Sequence, residues 1–461
     1  MPLMVSISGI RGVIGESLTP ATAVQYSAAF AEYSRRRGGS KPTIVVGYDG
    51  RVTGSMITNL VCSTLAAAGA DVRLLGICPT PTVQLAVEKG RAAGGIAVTA
   101  SHNPMEWNGM KFIAPTGMFL DAQENQEFWS LAEKPPRYVP WRDVGTTTTE
   151  NSWIEKHIES VLTLPFLDPG LVRRRKLRIV LDCVNASGGA IVPRLLEELG
   201  CTVIAMNCDV SGVFQHTPEP IPENLTGLAD AVLRERADLG IAVDPDGDRL
   251  VLITEKGIPY SEEYTIASAV KFVLDKIPPP RGSRHTVVVN LSTTRAVDDI
   301  ARQAGAQVVR TPVGEINVAK KMKEIGAIVG GEGSGGVILP AVHLGRDAMV
   351  GIGLILQLLA EHGGTLSALK ASLPQYAIAK GKIALGSASP DDILRRIAAE
   401  QRNTARVTTE DGVKLDYPDF WVHLRKSNTE PIVRIIAEGD TAEHARGLVE
   451  KFTGLIASTQ G

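Results

Sequence analysis

Leu239-Gly240-Ile241-Ala242-Val243-Asp244-Pro245-Asp246-Gly247-Asp248-Arg249 is an apolar run that ends abruptly in a cluster of carboxylates. A short apolar run bounded by a polar turn reads as a buried strand emptying into a loop. Upstream lie the strand Leu177-Arg178-Ile179-Val180-Leu181, a helix near Ile191 to Leu199 and the strand Thr202 to Ala205. The same alternation occurs on both sides of this block. Before it come a helix opening at Thr19-Pro20 with Val24, Ala28 and Ala31 on one face, the strand Thr43 to Gly47, a helix over Ser55 to Ala68, the strand Val72 to Leu75, a helix after Thr80-Pro81 and the strand Gly95 to Val98. After it come Thr286 to Asn290, a helix from Thr294, Ala306 to Val309, a helix from Glu315 and Ala327 to Val329. Strands alternating with amphipathic helices define an α/β protein.

Three related α/β units fit this order better than one large sheet. From about Leu373 the pattern changes to a helix near Asp391 to Gln401, strands at Trp421 to Leu424 and Ile432 to Ala437, and a closing helix from Thr441, which reads as a small α+β domain. The expected domains are 1–145, 146–254, 255–370 and 371–461, with the proline- and threonine-rich segment from Glu133 to Thr149 as a linker.

The chain has 461 residues, 48 Lys plus Arg against 50 Asp plus Glu, and a net charge of −2. That balance gives no electrostatic footprint for a nucleic acid or an anionic membrane, so an anionic ligand must be held by local basic groups. The five cysteines form no C-x-x-C pair, which disfavours a thiolate metal site and a disulfide framework. The longest strongly apolar run, Met349 to Ala360, falls short of the roughly 18–20 residues that span a bilayer. Met1 to Ser8 lacks the basic segment of a secretory leader. The expectation is a cytoplasmic protein without membrane or nucleic-acid partners.

Each α/β unit ends in a different chemical loop: Thr99-Ala100-Ser101-His102-Asn103-Pro104, Asp244-Pro245-Asp246-Gly247-Asp248-Arg249, and Gly331-Glu332-Gly333-Ser334-Gly335-Gly336. Ligands of open α/β sheets bind outside the carboxyl ends of strands, so the three loops can face one cleft. Clustered Asp244, Asp246 and Asp248 repel one another unless a cation neutralises them. Hard oxygen donors without His or Cys select Mg²⁺ or Ca²⁺, the alternative being a solvated acidic turn. An EF-hand is excluded, since Arg249 stands where that loop needs glycine and both flanks read as strands. Ser101 is a candidate nucleophile or phosphate carrier. His102 beside it either assists or merely braces the turn, and the chain has no G-x-S-x-G elbow. Lys111 adds a basic group downstream, although an isolated lysine is usually a solvated one.

Glu332 and Ser334 on a glycine-rich backbone suit polyol recognition or form a plain turn; the loop is not a Walker A motif. Arg425-Lys426-Ser427-Asn428-Thr429-Glu430-Pro431 combines a guanidinium, hydroxyls, an amide and backbone N–H groups that can enclose a phosphate, while Ser and Asn also favour turns for local reasons. Arg11, in Ser8-Gly9-Ile10-Arg11-Gly12, gains meaning only if it meets the others.

As a set and in this order, these loops resemble the α-D-phosphohexomutase family across nearly the whole chain. The resemblance implies four domains around a central cleft, three of them related α/β domains with mixed sheets and the last a small α+β domain. It implies an isomerase, an intramolecular phosphotransferase that interconverts hexose 6-phosphate and hexose 1-phosphate through a phosphoserine and a bisphosphate sugar. Ser101 matches the phosphoserine, and Asp244, Asp246 and Asp248 match the ligands of one Mg²⁺, with a phosphoserine oxygen completing the site. Glu332 and Ser334 match sugar-hydroxyl readers, and Arg425, Ser427, Asn428 and Thr429 match the loop that grips the distal phosphate. Arg11, Lys111 and Arg249 match basic groups near the transferred phosphoryl, with His102 a neighbour of the serine.

A phosphorylated hexose is the implied substrate, and a hexose 1,6-bisphosphate the implied activator. Gly336 and Glu315 depart from members that carry His, or His or Asp, at those positions. The Gly-Glu-Gly loop followed by Gly345-Arg346-Asp347 most resembles archaeal-type phosphoglucosamine mutases, with phosphomannomutase/phosphoglucomutase as the alternative. A Mg²⁺-dependent phosphosugar hydrolase and a non-catalytic phosphosugar sensor are the competing classes.

Overall fold

A computed structural model describes residues 2–385, 389–426 and 432–459. Its first three sheets share one wiring. In the second unit the strand order is Thr202–Met206, Arg178–Asp182, Leu239–Val243, Leu250–Thr254, the first three parallel and the last returning antiparallel. The first unit repeats it with Asp71–Ile77, Thr43–Tyr48, Gly94–Val98 and Trp107–Ile113. The third does so with Gln307–Thr311, Thr286–Asn290, Val329–Glu332 and Gly336–Leu339. The three chemical loops therefore sit at equivalent positions, where the third strand of each unit turns back into its antiparallel neighbour. Leu250–Thr254 being a strand also confirms that the aspartate loop is no EF-hand.

The central strands are buried along their full length, which is why they read as continuous apolar runs rather than alternating ones. The first sheet carries extra strands. Gly9–Val13 adds antiparallel to Trp107–Ile113, and Thr147–Thr149 adds parallel to Asp71–Ile77. The segment read as a linker thus ends in an edge strand, because its β-branched threonines suit an extended pairing. The helix Pro20–Gly38 starts at Thr19, whose hydroxyl accepts from Thr22 N, with Pro20 preset for the first turn. Its buried face runs through Ala23, Ser27, Ala28, Phe30 and Ala31, leaving Val24 only half-buried at the margin.

The apolar run Met349 to Ala360 forms most of the helix Ala348–His362, buried on all sides in the core shared by the three α/β units. No helix among the described residues is long and apolar enough to cross a membrane. The last unit is an antiparallel sheet in the order Ala377–Ala384, Ile432–Gly439, Trp421–Lys426, Val413–Asp416, Arg406–Thr408, with its own core beneath Pro390–Gln401 and Ala442–Thr459. It docks on the third unit. Asp411 Oδ2 accepts from Val313 N (2.9 Å), and Ser292 Oγ meets His423 Nδ1 (2.8 Å).

Candidate active site

Ser101 sits at the end of Gly94–Val98 with φ +50°, in the left-handed region that non-glycine residues seldom adopt. The strain is held by a buried clamp. Asp49 Oδ2 accepts from Thr99 Oγ1 (2.6 Å) and from Arg51 Nε (3.0 Å), while Thr99 Oγ1 accepts from Ser101 N (2.8 Å). The Arg51 guanidinium donates to the carbonyls of Ser101 (2.6 Å), Asn103 (2.7 Å), Pro104 (2.7 Å) and Trp107 (3.0 Å). Arg51 was missed from sequence, where Asp49-Gly50-Arg51 looks like an ordinary polar turn.

The Ser101 hydroxyl points across to the second unit, 3.3 Å from Asp244 Oδ2 and 3.3 Å from His102 Nδ1. Burial, with Arg249 and Arg11 nearby, pushes His102 down to about 3, so its ring is neutral at neutral pH. Behind Ser101, Lys111 Nζ lies 2.5 Å from Asp246 Oδ2 and 3.4 Å from Asp248 Oδ2. Burial opposes the charge of Lys111, but the two aspartates outweigh it and hold the ammonium above its ordinary value. Arg249 Nε stands 3.9 Å from Asp244 Oδ2 and 3.7 Å from Asp248 Oδ1.

The three aspartates offer carboxylate oxygens within 4.8 Å of one another. Asp246 Oδ1 and Asp248 Oδ1 are buried without a hydrogen-bond partner, an arrangement that is costly unless a cation takes both. Burial and the facing Asp248 and Asp246 push Asp244 well above the usual carboxylate range. Asp248 goes the other way: burial raises it, and Arg346, Lys111 and Arg249 overcome that to hold it far below. The all-oxygen donor set and its orphaned acceptors fit a hard divalent cation. Gly247, at φ +67°, closes the turn where a Cβ would lie 2.9 Å from Pro79 Cβ. The N-terminus of Thr80–Lys89 braces the loop, Thr80 donating to Asp246 through its backbone N and its hydroxyl, both at 2.8 Å.

Arg346 links the aspartate loop to the glycine-rich loop Gly331 to Gly336. Its guanidinium reaches Asp248 Oδ2 (2.6 Å), Glu332 Oε2 (2.7 Å) and Glu315 Oε2 (3.1 Å). Glu332 also accepts from Asn290 Nδ2 (2.8 Å) and Gly314 N (2.9 Å), so it is a braced carboxylate rather than a free one. Gly336 has a physical reason: a Cβ there would lie 2.2 Å from Arg346 Cδ, so any side chain at this position would force the arginine to move. Burial raises Glu315 despite Arg346 beside it.

Ser101, Lys111, Arg11, Arg249, Glu332, Ser334 and Arg425 line one cavity of about 320 Å³, to which all four units contribute. Arg11 is tied to the serine loop through Asn103 Oδ1 (3.2 Å), and Arg425 Nε pairs with Asp411 (3.0 Å). Ser427, Asn428 and Thr429 lie outside the described residues.

Four family models match in register: phosphoglucomutase/phosphomannomutase alpha/beta/alpha domains I (4–138), II (155–257) and III (262–376) and the C-terminal domain (382–455). The chain belongs to the phosphoglucomutase/phosphomannomutase family. It is 35% identical over 451 residues to a probable phosphoglucosamine mutase of Methanopyrus kandleri, covering 97% of this chain and 96% of that one. It is 36% identical over 445 residues to a phosphoglucomutase/phosphomannomutase of Thermococcus kodakarensis, covering 96% of each. Among solved structures, a phosphoglucomutase/phosphomannomutase family protein of Burkholderia thailandensis superposes with a TM-score of 0.84 at 27% identity, covering 99% of this chain and 98% of that one. The protein is therefore a phosphohexomutase, an isomerase.

Proposed function

We propose that this phosphohexomutase is a phosphoglucosamine mutase that works through phosphoserine 101. The observation that carries the mechanism is Ser101 Oγ, held in a strained turn 3.3 Å from Asp244 Oδ2 at a cavity walled by all four units. The substrate rests on the M. kandleri relative and on the Gly-Glu-Gly loop. The T. kodakarensis relative, equally similar, favours glucose or mannose phosphate as the second reading.

The phosphoryl on Ser101 passes to a free hydroxyl of the bound hexose phosphate. The P–O bond to Ser101 Oγ breaks, a sugar O–P bond forms, and the proton lost by the sugar hydroxyl ends on Ser101 Oγ, which leaves as the neutral serine hydroxyl. The resulting bisphosphate turns over in the cleft and returns its other phosphate to Ser101, giving the isomer. Asp244, Asp246 and Asp248 would hold one Mg²⁺, which supplies charge neutralisation at the phosphoryl oxygens. Lys111, Arg11 and Arg249 add fixed positive charge around the transfer point, in a buried setting where it counts for more than in water. His102, neutral, stands beside the serine oxygen as a hydrogen-bond partner. Ser334 and Glu332 read the sugar hydroxyls, and Arg425 with Ser427, Asn428 and Thr429 holds whichever phosphate is not reacting. One grip serves both orientations because both ends of the bisphosphate present the same group.

A coupled assay with glucosamine, mannose and glucose 1- and 6-phosphates, primed with hexose 1,6-bisphosphate, tests the reading. The expected result is the highest kcat/KM for glucosamine phosphate. A preference for mannose or glucose phosphate transfers the assignment to the second reading, and release of inorganic phosphate without isomerisation would make the protein a hydrolase.

A further inference from the structure

Directly behind Arg346, which lines the cavity, three ionisable side chains meet in the core. His157, on the helix Trp153–Leu162 between the first and second units, places Nε2 2.7 Å from Asp347 Oδ2. His343 places its own Nε2 3.0 Å from the same oxygen. On its other side His157 Nδ1 meets the Thr82 hydroxyl at 2.8 Å, from the helix Thr80–Lys89 of the first unit. The other Asp347 oxygen accepts from Met349 N (2.8 Å) and Val350 N (3.3 Å), capping Ala348–His362. Asp347 is thus an anion held by four N–H donors, and all three side chains are buried.

The residue before it is Arg346, which binds Asp248, Glu332 and Glu315 at once. A planar guanidinium serving three carboxylates tolerates little backbone movement. His343 comes from the same local strand and His157 from 190 residues away, so only the second ties this junction to another part of the fold. We propose that His157 is a positioning residue: through Asp347 it fixes Arg346, and through Arg346 the aspartate loop and the sugar loop. The consequence for sugar turnover rests on the mutase reading above, whereas the consequence for cation binding does not.

A transition-metal site is the rival for this cluster. Its ligand atoms would stand about 3.3 Å apart around a tetrahedral ion with bonds near 2.0–2.1 Å. The observed 2.7 and 3.0 Å are hydrogen-bond separations instead. The Thr82 hydroxyl and the Asp347 carboxylate engage both ring nitrogens of His157.

The test is Mn²⁺ binding to the full chain, followed by electron paramagnetic resonance, with kcat and KM alongside. His157→Phe keeps a ring of similar size and removes both hydrogen bonds. It is expected to weaken Mn²⁺ binding about tenfold, the range seen when support behind metal ligands is lost. His157→Gln, which offers an amide to both partners, should recover most of that. In an Arg346→Lys background His157→Phe should add less than about twofold, since residues acting through one another are not additive. Thr82→Val, a milder change, should weaken Mn²⁺ binding about two- to tenfold and carries the test if His157→Phe does not fold. Unchanged Mn²⁺ affinity in the folded variants, full additivity with Arg346→Lys, or a stoichiometric transition metal lost on replacing His157 would overturn the proposal. A wild type that binds Mn²⁺ with these dependences but does not isomerise sugar phosphates would instead sink the mutase reading alone.

Discussion

Arg51→Met puts the clamp on the serine loop to the test. The arginine side chain is 0% exposed and pairs with Asp49 at 1% exposed. Methionine fills much of the space but leaves the Asp49 carboxylate with neither its cation nor the Nε–H bond, and it strands the carbonyls of Ser101, Asn103, Pro104 and Trp107. Breaking a buried pair by removing one partner costs about 3–5 kcal/mol. At about 2–4 °C per kcal/mol for a unit of this size, the first unit should melt about 6–20 °C lower. Asp49→Asn in the same chain removes the uncompensated charge, so the double variant should regain much of the stability. It should not regain turnover, because the carbonyl of Ser101 is still unanchored and the strained φ has lost its restraint. Calorimetry and the coupled mutase assay read the two effects separately. A melting point within about 2 °C of wild type, or a double variant with full kcat, would refute the reasoning.

Other consequences follow from the same geometry. Mg²⁺ should raise the melting temperature of the wild type by mass action, by about 2.7 kcal/mol of stability at a hundred times its Kd, and Asp246→Asn should abolish that rise in a melting titration. Gly336→Ala should lower kcat/KM, since the new Cβ meets Arg346 Cδ at 2.2 Å and the guanidinium beyond it is pinned by three carboxylates. Arg346→Lys keeps Cδ but releases it from the three-carboxylate grip, so Gly336→Ala should cost less in the Arg346→Lys background than it does alone. His423, buried where the last unit meets the third, is pushed down to about 4 by burial. The unfolded chain therefore takes up this proton first. The stability His423 contributes is complete above pH 6.5 and falls by up to about 1.4 kcal/mol per pH unit as pH drops from 6.5 toward 4. His423→Gln should flatten that stretch of the melting-temperature profile, and an unchanged slope would reject the assignment.

Much of the fold was legible because each α/β unit announces itself twice, by an apolar strand buried on both faces and by a polar loop that follows it. Asp244, Asp246 and Asp248 needed no structure to be suspect, since their mutual repulsion is a property of spacing. What stayed hidden depends on partners distant in sequence. Arg51 does its work on carbonyls about fifty residues away, and Arg346 reaches Asp248 98 residues away, so neither partnership shows in the local sequence. Thr147–Thr149 was read as linker because a three-residue edge strand has no periodicity to display. Asp411 likewise gave no signal, although it both holds Arg425 and ties the last unit to Val313. The glycine at 336 was visible as a departure, but its cause, the passage of Arg346, required the packing.

Isomerisation through a phosphoserine requires the phosphoryl group to reside on Ser101 between turnovers. Enzyme incubated with hexose 1,6-bisphosphate carrying labelled phosphate, then digested and sequenced by mass spectrometry, should carry the label on Ser101. Unlabelled hexose monophosphate should discharge it into sugar product, and Ser101→Ala should neither take up label nor turn over. Label on another residue, or full isomerase activity in Ser101→Ala, would contradict the account.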